Sequence, residues 1–239
     1  MNANSRWQEV IAENLASSSV PGFRKQELSL EAVRSGLMPA TQLTSSKSPQ
    51  FFTIPKATTT TSFLPGDMQY TGEKGNVGIE GKGFFQVQLP NGNNALTRDG
   101  EFQVNSQGQL VSKEGYPVLS NGSPIQLDPH NTAPLTISAN GDISQGSETK
   151  GKLKLTDVDK PELLTQISGA YFLANNSGIH TQTGTGTLRQ GYLEGANTSS
   201  VGEMANMMTA MRTFEANQHV IQIQDDRMGK AISELGSTT

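Results

Sequence analysis

The chain has no cysteine, which rules out a disulfide framework and thiolate metal sites while leaving the redox compartment open. Aromatic residues are scarce at 6%, and only 17% of residues are charged. Eighteen Lys and Arg against 22 Asp and Glu leave a net charge of −4, with no basic block to neutralise phosphates. This argues against nucleic acid as a partner. No apolar run approaches membrane-span length, and the N-terminus lacks the basic start and apolar stretch of a secretory signal. The expectation is a chain without a transmembrane segment that stays in the cytosol or leaves by a route that reads no such signal. At 239 residues it is long enough to bury a real core, as one large or two small domains.

The strongest pattern is at the C-terminus. Alternating steps of three and four pick out Met204, Met207, Met211, Phe214, Gln218, Ile221, Asp225, Met228, Ile232 and Leu235, of which only Gln218 and Asp225 are polar. This is the spacing of a coiled-coil seam. Ser200 followed by Glu203 predicts a capping box at its start, and Gly236 a left-handed stop. A helix this long with one narrow apolar stripe needs partner helices, from its own chain or from other copies. Periodicity alone also fits an amphipathic helix lying on a globular core. At the other end, Trp7, Ile11 and Leu15, with Val10 beside them, predict a short amphipathic helix from about Ala3 to Ser18, ended by Pro21-Gly22. Alone it is marginal in water, so the two ends are expected to meet.

Between the helices the composition changes twice. Residues 21–66 carry Ser45, Ser46, Ser48, Thr58 to Thr61 and Pro39, Pro49, Pro55 and Pro65, which predicts an extended connector arm. From about Met68 to Gly195, short β-type runs alternate with the pairs Asn91-Gly92, Asp99-Gly100, Gln107-Gly108, Glu114-Gly115, Asn121-Gly122 and Asn140-Gly141. That spacing predicts short antiparallel strands and tight hairpins. Their core is expected to come from Phe84, Val87, Leu96, Phe102, Val104, Leu110, Val111, Val118, Leu127, Leu135, Ile137, Leu153, Leu155 and Tyr171. The expected fold class is therefore α+β, with terminal α-helices forming a coiled-coil-like layer around 1–20 and 196–239 and a central, mainly antiparallel β domain at 67–195.

Tests for chemistry give little. Gly78, Gly81 and Gly83 are in the wrong order for a dinucleotide fingerprint, and no Ser or Thr follows Lys82; a strand-entry turn accounts for them better. His130, His180 and His219 lack paired ligand spacing. Asp157 with Asp159, and Asp225 with Asp226, lack the glycine and distal Glu of a calcium loop. No Gly-x-Ser-x-Gly elbow occurs, and Arg98-Asp99 followed by Gly100 reads as a turn rather than a catalytic pair. No catalytic, cofactor or metal residue is expected, and no small-molecule substrate.

Three blocks carry a family resemblance. Val10 to Ala16 followed by Pro21-Gly22-Phe23-Arg24, then Gly81-Lys82-Gly83-Phe84-Phe85-Gln86-Val87 with Thr97-Arg98-Asp99-Gly100 and Phe102, then Gln190 to Glu194 with Asn197, Glu203-Met204 and Arg212 to Asn217, resemble the bacterial flagellar axial proteins of rod and hook. Glu13 and Ser17 stand where that family usually has Asn, Val20 where it has Thr, and Asn76 where it has Asp. The family's first helix normally starts one to two dozen residues earlier, so Met1 is either a late start or that of a shortened member. The resemblance implies a structural subunit of the flagellar basal-body rod that assembles into a helical tube transmitting torque. It further implies a periplasmic place in the rod, partners among other rod and hook axial proteins, and export by the flagellar type III apparatus without a cleaved signal peptide. The expected assembly surface is Trp7, Ile11, Asn14, Leu15, Phe23, Met204, Met207, Met211, Phe214, Gln218, Ile221, Asp225 and Met228. The alternative is a secreted oligomeric β-domain that binds surface glycans or a protein partner through its loops.

Overall fold

The computed structural model describes residues 2–37, 51–128, 131 and 133–236. His130 and the connector's Pro39, Ser45, Ser46, Ser48 and Pro49 lie outside them. An N-terminal helix, a long series of short strands and a C-terminal helix follow one another, in keeping with an α+β class. The chain divides into two compact units: Met1–Leu15, Gln26–Thr60 and Ser200–Thr239 in one, Ala16–Lys25 and Thr61–Ser199 in the other.

The first unit contains α1 (Asn2–Ala16), β1 (Gln26–Leu37), β2 (Phe51–Thr61) and α2 (Ser200–Gly236). Helix α1 buries Val10, Ile11 and Asn14, while Trp7 and Leu15 are half-buried. It stops at Ala16, two residues earlier than the apolar spacing suggests. The Asn14 side chain explains this: its amide donates to the Gln26 carbonyl at 2.8 Å and its oxygen accepts the Gln26 N–H at 2.9 Å, tying the last turn to the start of β1. Ser17, Ser18 and Ser19 then compete with the helix for backbone hydrogen bonds. Strands β1 and β2 pair in a two-stranded ribbon inside the span read as a connector. The β-branched Thr58 to Thr61 favour that state, and a ribbon with two free edges tolerates Pro55.

Helix α2 starts at Ser200, as the Ser200/Glu203 pair suggests, and runs for 37 residues. Glu203 and Ala210 are buried and Met207 and Phe214 half-buried, but Met204, Met208, Met211, Ile221, Met228 and Ile232 are exposed. Asn4 of α1 and Phe214, Asn217, Gln218 and Ile221 of α2 line one cavity of about 220 Å³, so the terminal helices meet there.

The second unit is built from small antiparallel sheets. The largest has four strands in the order Thr165–Ser168, Tyr171–Leu173, Asn94–Thr97, Phe85–Gln88. Val77–Glu80 pairs with Thr187–Gln190, and Met68–Tyr70 with Tyr192–Glu194, so the last strands return to the first. Of the six turn pairs, five place their glycine at positive φ, between 78° and 89°. Gly100 is the exception. Its backbone lies so close to the Val77 carbonyl that a Cβ would sit 1.8 Å from that oxygen, so here glycine serves close approach and not a hairpin turn.

The core is one large cluster around Phe85, Val87, Phe102, Leu110, Ile143 and Leu188, with a second around Phe84, Leu96, Leu164 and Phe172. Val104, expected inside, is 46% exposed: it is the last residue of a three-residue strand that buries only Phe102. Phe85 has no exposed surface and stacks edge-on against Phe102, with centroids 4.9 Å apart. Phe85→Ala should destabilise this unit by about 3–5 kcal/mol, whereas Val104→Ala should stay within about 0.5 kcal/mol. Urea unfolding followed by near-UV circular dichroism measures both.

Candidate functional site: a buried ion node and an exposed helix seam

Arg24, Arg98 and Glu194 come from three distant stretches of sequence and meet inside the second unit. The Arg24 guanidinium donates to Glu194 Oε1 at 2.6 Å and that of Arg98 to Glu194 Oε2 at 3.2 Å. The three side chains are 2%, 9% and 1% exposed. Glu194 Oε1 also accepts the Gly66 N–H at 2.9 Å, and the Glu194 carbonyl accepts the Gly22 N–H at 2.7 Å. Arg98 spends its other Nη on the Gly81 carbonyl at 2.9 Å and lies over the Phe84 ring, 5.1 Å from its centroid. The carbonyl of the glycine turn is thus committed to a protein cation.

Two cations share one anion, so the node carries an excess buried positive charge. Burial pulls the Arg98 guanidinium below its ordinary range; Glu194 pulls back, and Arg24 adds to the depression. Arg24 Nε and Nη1 and Arg98 Nε have no hydrogen-bond partner among the described residues. Buried charges in such a group attract strongly but have lost their hydration, so removing the shared anion is far more costly than the net worth of the pairs.

Asn197 extends the node. Its side-chain oxygen accepts the Lys25 N–H at 2.6 Å, and its amide donates to the Ser62 and Leu64 carbonyls, both at 2.9 Å. Gly22 packs so tightly that a Cβ would lie 2.4 Å from the Arg98 carbonyl carbon, and its φ of +69° suits glycine. Arg24-Lys25, Ser62 to Gly66 and Glu194 to Asn197 lie next to the points where the chain passes between its units. The node therefore cross-ties these passes on the second unit's side.

Arg24, Glu194 and Asn197 belong to no motif with spacing inside one element. The available signal was different: each of the three quoted blocks contains one charged residue of the triad. Arg98 was read as part of a turn. Only its neighbour behaves so, with Asp99 Oδ1 accepting the Glu101 N–H at 2.9 Å.

The expected assembly residues separate into two groups. Met204, Met211, Ile221 and Met228 are 53%, 55%, 39% and 63% exposed, Gln218 and Asp225 are exposed, and Trp7, Leu15, Met207 and Phe214 are half-buried. Ile11, Asn14 and Phe23 are only 3%, 1% and 0% exposed. Within the single chain Asn14 is committed to Gln26, and Phe23 is fully buried.

Residues 78–145 match the family model described as the flagellar hook protein FlgE/F/G D1 domain, and 189–234 that of the flagellar basal body rod FlgEFG protein C-terminal. The chain is 32% identical to the flagellar basal-body rod protein FlgG of Buchnera aphidicola subsp. Acyrthosiphon pisum, over 98% of this chain and 96% of that protein. It is also 32% identical to the rod protein FlgF of Escherichia coli K12, over 94% of this chain and 90% of that protein. The chain belongs to the flagellar basal-body rod protein family. It is a structural rod subunit, and the node ties the rod family's D1-type β domain, through Arg98, to its C-terminal region, through Glu194.

In this rod protein, Glu194→Gln would leave two buried guanidinium groups without their counter-charge. The expected loss is about 3–5 kcal/mol, read from a chemical unfolding curve, against less than about 1 kcal/mol for Glu80→Gln, whose pair with Arg189 is exposed. A second outcome concerns pH. Burial, with Glu114 and Glu101 adding, pushes the Asp99 carboxyl up to about 7 against the pull of the Glu101 N–H. The folded state thus favours the neutral acid, and the stability this contributes is complete below the ordinary value of about 3.9 and lost as pH rises through 7. Asp99→Asn should remove that decline, which thermal melts between pH 4 and 8 resolve.

Proposed function

We propose that this rod subunit polymerises through its terminal helices into a helical tube. The observation that carries this reading is the apolar stripe left open along α2, where Met204, Met211, Ile221, Met228 and Ile232 remain exposed. A 37-residue helix is about 55 Å long. A stripe of that length is too large to leave in water and has the seam spacing of helices that pack against one another. Contacts that do not close on themselves generate a filament. In this reading the helical layer is coiled-coil-like, and the polar Gln218 and Asp225 set its register. The buried node keeps the β unit from yielding where the chain passes leave it, which suits a part that transmits torque.

On the same reading the subunit stands in the periplasmic rod, associates with copies of itself and with other rod and hook axial proteins, and is delivered by the flagellar type III export apparatus without a cleaved signal peptide. The purified full chain, imaged by electron microscopy at rising concentration, tests this: tubes support it, and discrete trimers of a secreted β-domain type would overturn it. Met211→Asp with Met228→Asp should abolish the tubes while leaving the β unit's melting temperature unchanged, because both side chains are exposed in the single chain. Tubes from that variant at the wild-type concentration would remove α2 from the assembly surface.

A further inference from the structure

The second unit holds a cleft of about 390 Å³ lined by Asp99, Glu114, Tyr116, Tyr171, Leu89 and Ile167 among others. That volume is at the small end of ligand pockets, about 300–1,000 Å³. Its two acidic wall residues are Asp99 and Glu114, and among the described residues no lysine, arginine or histidine lines it. Lys113, beside Glu114 in sequence, is turned to solvent and paired with Glu101 at 2.9 Å.

Asp99 is the telling residue, because it is 3% exposed and yet only half used. Its Oδ1 caps the turn by accepting the Glu101 N–H, while Oδ2 has no hydrogen-bond partner among the described residues. Glu114, which is exposed, uses Oε2 to accept from the Tyr171 and Ser112 hydroxyls, and its Oε1 has no hydrogen-bond partner among the described residues. The two carboxylates sense one another, since the Glu114 charge adds to the upward push on Asp99. A buried acid with one open oxygen, set beside an exposed carboxylate that also has one, is what a cation relieves. The remaining walls suit a cation carried on an alkyl stem. Tyr116 and Tyr171 meet edge to face, 5.5 Å apart, and offer ring surface, while Leu89 and Ile167 offer apolar contact.

From this geometry we infer that the cleft receives a lysine or arginine side chain of a second copy of this chain. The choice of a second copy rests on the rod-subunit reading, in which copies pack against one another; the cationic chemistry rests on the cleft alone. An inorganic cation would leave the aromatic and aliphatic walls without a role.

The test removes charge and keeps shape. In Asp99→Asn with Glu114→Gln, the amide oxygens still accept from Glu101 N–H, Ser112 and Tyr171, so the turn and the hydroxyl contacts survive. The variant's concentration for tube formation, measured by sedimentation, should rise at least tenfold, while its melting temperature in dilute solution at pH 7 should not fall. Millimolar n-butylguanidinium should inhibit wild-type tubes more than equal sodium chloride does, and should not affect the variant further. Tube formation by the variant at the wild-type concentration would overturn the inference. If the wild-type chain forms no tubes, the rod reading and the second-copy occupant fail together. Carboxyl-carbon NMR of Asp99 during n-butylguanidinium addition then decides the cleft: a saturating shift that equal sodium chloride does not produce upholds a cation site, and no such shift removes it.

Discussion

The sharing of Glu194 between Arg24 and Arg98 is the constraint from which the rest of the second unit follows. One carboxylate cannot satisfy two buried guanidinium groups by itself, so the surroundings supply what it lacks. The Gly81 carbonyl and the Phe84 ring add to Arg98's contacts, though its Nε stays unpaired among the described residues, and the Gly66 and Gly22 N–H groups converge on Glu194. Each of those partners requires a particular backbone path. Gly22 reaches its place only because it can adopt φ +69° and pack against the Arg98 backbone without a Cβ. Such a group contributes little net stability for the charges it buries, and its value is specificity: an alternative pairing of these segments would strand a buried charge.

That specificity matters because the β unit has no single large sheet to organise it. Its sheets have two to four strands, and strands of two to five residues offer few ladder hydrogen bonds each. Side-chain packing into two apolar clusters holds them, with Phe85, Val87 and Phe172 fully buried. The polar ties run between segments that do not share a sheet, as when Asn197 binds Lys25, Ser62 and Leu64 together. Helix α2 is the opposite case. It satisfies its backbone hydrogen bonds internally but leaves most of its apolar stripe exposed.

The legible parts of the sequence were those whose cause is local. Ser200 and Glu203 mark the start of α2, and the Gly-containing turn pairs mark the hairpins, because capping and positive φ depend on a few adjacent residues. Leu153 and Leu155 are buried between exposed Lys152 and Lys154, as their alternation suggests. What could not be read depends on distant segments. The early end of α1 reflects Asn14 reaching Gln26, and Gly100 is set by the Val77 carbonyl more than by a turn. The ribbon of β1 and β2 was hidden because Ser, Thr and Pro enrichment suits both an extended linker and a two-edged hairpin. The ion node was present only as charges scattered through three blocks, 74 and 96 residues apart (98 − 24 and 194 − 98). No periodicity within an element reports such a meeting.

The Arg98-Asp99 dipeptide shows how a short element serves two environments at once. Successive residues of an extended chain point to opposite sides. Arg98 therefore enters the node with its excess of positive charge, while Asp99 enters a cleft whose charges are negative. Their neutralisation differs in kind. Arg98 finds Glu194 within its own chain, and burial still depresses it; Asp99 finds only a backbone N–H and is pushed toward neutrality. Thr97 and Gly100 hold the dipeptide from both ends, Thr97 by accepting the Asp99 N–H on its hydroxyl at 3.0 Å, Gly100 by its close approach to Val77. Gly22 packs on the Arg98 backbone as well. A buried arginine and a buried aspartate on successive residues thus link the internal bracing of the subunit to an acidic cleft.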